Sequence, residues 1–247
     1  MLNVNITILK SHFLVNRYNH ILMQFFDFLC YTFSMTKADI RQEIKSRISK
    51  LSLKEIKEQS EKLCESIIES ADFAHCTTLL AYMALPDEAD LGPVIQKALS
   101  KGKKVFLPHV FPGTNKMEFY RYNSDSSIQK GDFGISEPPV DETQSFTKFL
   151  ERLTIQQYSP APHSSNYVEI EEQDPKQERI LALIPGRAFT KCGKRIGRGK
   201  GFYDIYLSSL PQIFYIKKTG VCLACQIMAD LPVTPDDILM DDVISEE

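Results

Sequence analysis

A layered α/β fold around a mostly parallel sheet is what this chain predicts, on three observations. Short continuous apolar runs, best seen in Arg179-Ile-Leu-Ala-Leu-Ile184, read as strands buried on both faces. Stretches with apolar residues every three or four positions alternate with them, the order that builds such layers. Finally, a glycine-rich loop follows the 179–184 run and leads into a helical pattern, so it lies at the carboxyl end of a strand, where open α/β sheets bind ligands.

From Lys37, Ile40, Ile44, Ile48 and Leu51 step by four, four and three, which predicts an amphipathic helix capped by Thr36. Lys37 and Arg41 then share a face, one turn apart. A second helix starts at Ser52, whose Ser-x-x-Glu box with Glu55 satisfies free N–H groups, and runs on through Ile56, Leu63, Ile67 and Ile68. Thr78 to Met83 is the first predicted strand, and Leu85 to Asp90 a loop holding Asp87 and Glu88. Leu91 to Ser100 reads as helix, closed by Gly102. Lys104 to Leu107 and Met117 to Tyr122 are further strands. Residues 139–178, rich in Glu, Gln, Ser and Pro and including Ser159-Pro-Ala-Pro-His-Ser-Ser, have the composition of a long solvated loop and are expected to be a flexible insertion. Downstream of the glycine-rich loop, Phe202, Ile205, Tyr206 and Leu210 return to helical spacing.

The 247 residues allow one or two domains, and a single domain with additions fits best. With 43% hydrophobic and 25% charged residues, the chain has the makeup of a soluble globular protein with a sizeable core. Residues 1–34 stand apart: their apolar run from Ile21 to Phe33 is interrupted by Gln24 and Asp27 and falls short of the roughly 20 residues a bilayer span needs. It lacks a signal-peptide cleavage site and makes a poor organelle-targeting peptide. Met35-Thr36-Lys37 reads as a start, so residues 1–34 are expected to be an extension outside the fold and outside the native protein, with a membrane-surface anchor as the weaker alternative. Six scattered cysteines without a disulfide spacing point to a reducing cytoplasm.

The chemistry concentrates between Pro185 and Asp204. Six cations (Arg187, Lys191, Lys194, Arg195, Arg198, Lys200) occur there with no intervening acid, and Gly193, Gly197, Gly199 and Gly201 let the backbone bend and approach a ligand closely. Exposed amides followed by a helix start form an anion site to which Arg and Lys add charge-assisted bonds, so a nucleotide phosphate chain fits. Five residues, not four, separate Gly193 from Gly199-Lys200, and Gly201 follows, so the segment is not the standard phosphate loop. Nor does Gly197-Arg-Gly199-Lys-Gly201 have the dinucleotide spacing. Nucleic acid is discounted because the net charge is −3 and the cations sit in one short loop without interleaved stacking aromatics. The plain alternative is a solvated turn.

The segment resembles the signature of the 5-formyltetrahydrofolate cyclo-ligase (5,10-methenyltetrahydrofolate synthetase) family, Pro-Gly-x-x-Phe-Asp-x-x-Gly-x-Arg-x-Gly-x-Gly-x-Gly-Tyr-Tyr-Asp. Thr190 stands where the family has Asp, and Phe202 where it has the first Tyr. Gly131-Asp-Phe-Gly-Ile-Ser-Glu-Pro138 is similar to the family's Gly-Ile-x-Glu-Pro element, and the tail from Gly220, with Leu231-Pro-Val and Asp237, resembles the family's end. The likeness covers Lys37 to Glu246 apart from the insertion.

The resemblance implies a three-layer α/β/α fold of the sugar-phosphate isomerase and CoA transferase type. It also implies ATP- and magnesium-dependent closure of 5-formyltetrahydrofolate to 5,10-methenyltetrahydrofolate by a monomer. Lys37, Arg41, Arg195, Gly197, Arg198, Gly199, Lys200, Gly201, Phe202 and Tyr203 would then contact ATP. Met83 and Glu88, with residues 198–202 of the same loop, would contact the folate, and Asp204 and Asp237 would hold magnesium. Lys200, Arg198 and Tyr203 would stand at the reacting groups. A non-catalytic folate- or nucleotide-binding relative is the rival reading. Without the resemblance, Glu88 reads as a loop acid, Met83 as core, Asp204 as a helix-start carboxylate and Asp237 as one surface acid beside Asp236.

Cys222-Leu-Ala-Cys225 lacks a second pair or a His partner and reads as core rather than metal ligand. His75, His109 and His163 have no mutual spacing of a catalytic or zinc site; His109, after Pro108, is expected to border the pocket.

Overall fold

The computed structural model describes residues 35–123, 129–130, 136–158 and 178–246. Residues 1–34, Cys30, His163 and the Ser159-Pro-Ala-Pro run lie outside the described residues.

Two capped helices open the fold. In α1 (Lys37–Ile48) the Thr36 hydroxyl accepts from the Asp39 amide while Asp39 accepts from the Thr36 amide, and Ser52 and Glu55 make the same reciprocal pair at α2 (Leu53–Glu69). Ile40, Ile44 and Ile48 are buried as their spacing requires, and Leu51 falls beyond the helix end. A short third helix, α3 (Ala71–His75), has no counterpart in the sequence reading; Phe73 anchors it in the core.

The sheet has six strands in the order β10-β9-β6-β1-β2-β3: β1 (Thr78–Leu80), β2 (Lys104–Val110), β3 (Met117–Tyr122), β6 (Ile180–Ile184), β9 (Ile216–Cys222) and β10 (Asp242–Ser245). All neighbours are parallel except β2 and β3, which pair antiparallel from Val105↔Tyr122 to Val110↔Met117. Helix α4 (Gly92–Ser100) carries the crossover from β1 to β2. Ladder pairing ends at Leu80, three residues before the predicted limit of that strand, because the chain turns there toward the wall of a pocket.

Strands buried on both faces need two cores. One contains Leu181 and Leu183 of β6 with Ile40, Ile44, Leu63, Ile67 and Val94 from α1, α2 and α4. The other contains Ile180, Ala182 and Ile184 with residues of α5 (Phe146–Tyr158) and α6 (Phe202–Ser209). Consecutive β6 residues thus alternate between helical layers, which is the period of a strand. Each large aliphatic chain so enclosed contributes about 1.5–3 kcal/mol.

Helix α5 corrects the expectation of a structureless insertion for its first part, 139–158, while 159–177 lie outside the described residues. Glu142–Gln144 is a 3₁₀ turn and Phe146–Tyr158 a helix, with Phe146 and Leu150 buried and the Phe146 ring meeting Phe106 edge-on at 5.2 Å. Two small ladders complete the described chain: β4 (Gln129–Lys130) with β5 (Ser136–Glu137), and β7 (Ala188–Phe189) with β8 (Arg195–Ile196).

Candidate active site

Strand β1 lies between β6 and β2, so the chain winds outward from it on both sides and leaves a crevice beyond the carboxyl ends. A pocket of about 400 Å³ opens there. Its volume suits a ligand of several rings. Tyr82, Met83 and Leu85 line it after β1, Pro185 and Gly186 after β6, and the glycine-rich loop forms another wall. Gly199 (φ 107°) and Gly201 (φ 70°) hold the left-handed backbone that lets this loop turn abruptly into α6, whose N-cap is Gly201.

Three distant segments meet at the loop. Arg41 of α1 donates through Nε to the Gly197 carbonyl at 2.8 Å. One turn earlier, Lys37 donates to both oxygens of Asp237 in the tail, at 2.7 and 2.5 Å. The Ile238 amide in turn donates to Asp204 Oδ1 at 3.2 Å, which sets the two expected metal carboxylates on touching segments. Asp236 is exposed while Asp237 is partly buried and bonded to Lys37 and Thr234, so the geometry separates two acids that the sequence left interchangeable. Burial alone would raise the Asp237 pKa, but hydrogen bonds from Lys37 and Thr234 outweigh it and hold the carboxyl below its usual range.

The six cations do not form one positive surface, because acids outside the run pair with four of them, three of these from distant segments. Arg187 pairs with Asp87, Lys194 with Asp230, Arg195 with Asp204 and Arg198 with both Asp87 and Glu88. Arg195, expected at the phosphates, lines the pocket and is engaged within the protein. Its side chain is 2% exposed, one amino group donates to both Asp204 oxygens at 2.9 Å, and the other donates to the Pro185 carbonyl. Arg198 donates through Nε and Nη2 to Glu88 Oε1 at 2.9 and 2.7 Å. Desolvation would lower the Arg198 pKa, yet Asp87 and Glu88 raise it, while the same contacts hold Asp87 below its ordinary value against its own burial. Lys200 is exposed on the pocket wall, and among the described residues no hydrogen bond or ion pair is recorded for it.

Tyr203 and Phe202 line the pocket, with the Arg195 guanidinium 5.6 Å from the Tyr203 ring centre. Burial pushes the Tyr203 hydroxyl far above its ordinary pKa, so it is a neutral donor rather than a base. Thr190, buried where the resemblance has Asp, accepts the Lys194 amide at 3.0 Å and keeps the loop stitched.

His109, expected at the rim, does not line the pocket; its neighbours Pro108 and Val110 do. Val110 faces Met117 across the β2–β3 ladder, and the two show how that hairpin shapes the wall. Glu137 was missed as a site residue. It lies 3% exposed against the pocket, and its only sequence signal was the Gly-Ile-x-Glu-Pro element that contains it. Cys222 is buried and Cys225 partly so, and burial pushes the Cys222 thiol up to about 12, as suits a core residue. No group of three or more His, Cys, Asp or Glu residues could hold a metal ion among the described residues.

A pocket at the switch point of a parallel sheet, walled by a glycine-rich loop that opens a helix, defines an α/β enzyme that seats its ligands beyond the strand ends. The sequence model of the 5-formyltetrahydrofolate cyclo-ligase family matches residues 34–155 and 153–246, and the chain belongs to that family of ligases. It is 32% identical to a probable 5-formyltetrahydrofolate cyclo-ligase of Caenorhabditis elegans, over 85% of this chain and 92% of the relative. The corresponding mouse protein is 26% identical over 87% and 96%. The solution structure of Aquifex aeolicus 5,10-methenyltetrahydrofolate synthetase superposes with a TM-score of 0.61 at 26% identity, over 85% of this chain and 90% of that one.

Proposed function

We propose that this protein uses ATP to close 5-formyltetrahydrofolate into 5,10-methenyltetrahydrofolate. The observation that carries the reading is the meeting of α1, the glycine-rich loop and the tail on one pocket, through Arg41–Gly197, Lys37–Asp237 and Ile238–Asp204. A formamide oxygen is a poor leaving group. It therefore attacks the terminal phosphorus of ATP and ADP departs; the other folate nitrogen then attacks the activated carbon and gives up its proton to solvent, and the C–O bond breaks to release phosphate. The protein's share is alignment and charge.

Lys200, exposed in the wall and free of recorded partners among the described residues, supplies the mobile cation for the transferred phosphoryl group, and the amides from Gly197 to Gly201 cradle the phosphate chain. Arg198 stands between the phosphates and Glu88, whose side chain meets the formyl end of the folate beside Met83. Arg195 positions Asp204 rather than touching phosphate, and Tyr203 offers a ring and a neutral hydroxyl. Asp204 and Asp237 suit magnesium as a donor set, since that ion takes one or two carboxylates and completes its shell with phosphate and water. When bound it would offset phosphate charge. The five described cysteines are all free, which supports a cytoplasmic setting, and no helix of the described residues is long and apolar enough to cross a membrane.

The test is to mix purified protein with ATP, magnesium and 5-formyltetrahydrofolate and follow the near-ultraviolet absorbance of the methenyl product. Phosphate release without that absorbance overturns the reading.

A further inference from the structure

Two glutamates are buried at the pocket wall, and they differ in what they have left to offer. Glu88, 8% exposed, accepts from Arg198 through Oε1 and from the Leu85 amide through Oε2 at 3.0 Å. Glu137 is more deeply enclosed, at 3%, and among the described residues a single hydrogen bond reaches it. The Val110 amide reaches its Oε1 only at 3.4 Å. His109 Nδ1 lies 3.0 Å from its Oε2, close enough for an ion pair, but among the described residues Nδ1 makes no hydrogen bond. The imidazole is braced edge-on against Phe111 and Tyr120, at 5.1 and 6.1 Å, so it holds the carboxylate in place without using up its acceptor capacity.

A buried carboxylate with idle lone pairs costs free energy until a ligand supplies donors. Val110, whose amide reaches it, lines the same pocket together with Met117 and Pro108 of the β2–β3 hairpin. The 2-amino-4-oxopyrimidine end of a reduced folate presents just such donors, since its ring N3–H and 2-amino group lie side by side and match the two oxygens of a carboxylate. We infer that Glu137, held by His109, is the specificity-determining residue for the pyrimidine edge of the folate, while Glu88 is committed to Arg198. The inference rests on the folate-binding reading above and deepens it. It places the pyrimidine against the β2–β3 hairpin and the formyl end toward the glycine-rich loop.

Calorimetric titration without ATP tests it, with 5-formyltetrahydrofolate and its 2-desamino-2-methyl analogue as probes. The wild-type protein is expected to bind the parent at least ~10-fold more tightly than the analogue, because the analogue leaves a carboxylate oxygen unpaired. Glu137→Gln should weaken the parent by about 10- to 100-fold and abolish the discrimination, whereas Glu88→Gln retains it. His109→Gln should show a smaller loss of the same kind. A wild-type protein that binds both probes equally overturns the inference without any variant. So does a Glu137→Gln protein that still discriminates, or a Glu88→Gln protein that no longer does. A wild-type protein that binds ATP but neither folate overturns the cyclo-ligase reading itself, a different outcome from folate binding without discrimination.

Discussion

The Lys37 ammonium holds both carboxylate oxygens of Asp237, two hundred residues further along the chain. This ties the first helix to the tail, beside the glycine-rich loop that Arg41 of the same helix reaches at Gly197.

The pair carries a pH signature. Asp237 titrates below its unfolded value of 3.8, because Lys37 and Thr234 outweigh the effect of burial. A depressed carboxylate stabilises the fold fully above the unfolded pKa, and that contribution is lost as pH falls through the folded one. Denaturant midpoints measured from pH 5 downward should therefore drop less steeply for Asp237→Asn than for the wild type. Parallel acid limbs would show that the contact contributes nothing.

Lys200→Ala separates catalysis from stability. The side chain is exposed and has no partner among the described residues, so thermal stability should change by no more than about 0.5 kcal/mol. Losing one charged hydrogen bond to the transferred group costs roughly 1.5–3 kcal/mol, about 10- to 100-fold in kcat. An unchanged kcat would remove Lys200 from that position.

Arg195→Met should do the reverse. It strands Asp204 in a partly buried site, which costs on the order of 3 kcal/mol, or about 6–12 °C in melting temperature for a domain of this size. Calorimetry reads this directly. A variant that melts with the wild type but fails to bind ATP would instead make Arg195 a ligand residue.

Phe146→Ala tests whether α5 belongs to the core. Removing a fully buried ring packed against Phe106 should cost about 3–5 kcal/mol. A cost under about 0.5 kcal/mol would return the segment to the status of a solvated attachment.

What could be read in the sequence was local. The Thr36 and Ser52 boxes and the strand, glycine loop and helix around residues 180–210 each depend on neighbours a few positions away, and each formed as its spacing demanded. Helix α5 was hidden because Phe146, Phe149, Leu150 and Leu153 sit in a window whose average is dominated by Glu, Gln, Ser and Pro. The pairing of the loop's charges was hidden for a different reason. Its cations are adjacent in sequence, but Arg198 finds Glu88 across 110 residues, and local reading sees only the positive half of such pairs. Glu137 became visible as a site residue only once the β2–β3 hairpin folded over it.

The central claim, that ATP drives closure by phosphorylating the formyl oxygen, is tested most directly with substrate carrying oxygen-18 in the formyl group. Mass spectrometry of the released phosphate should show one labelled oxygen for each methenyl product formed. Phosphate that stays unlabelled while product accumulates would contradict the account.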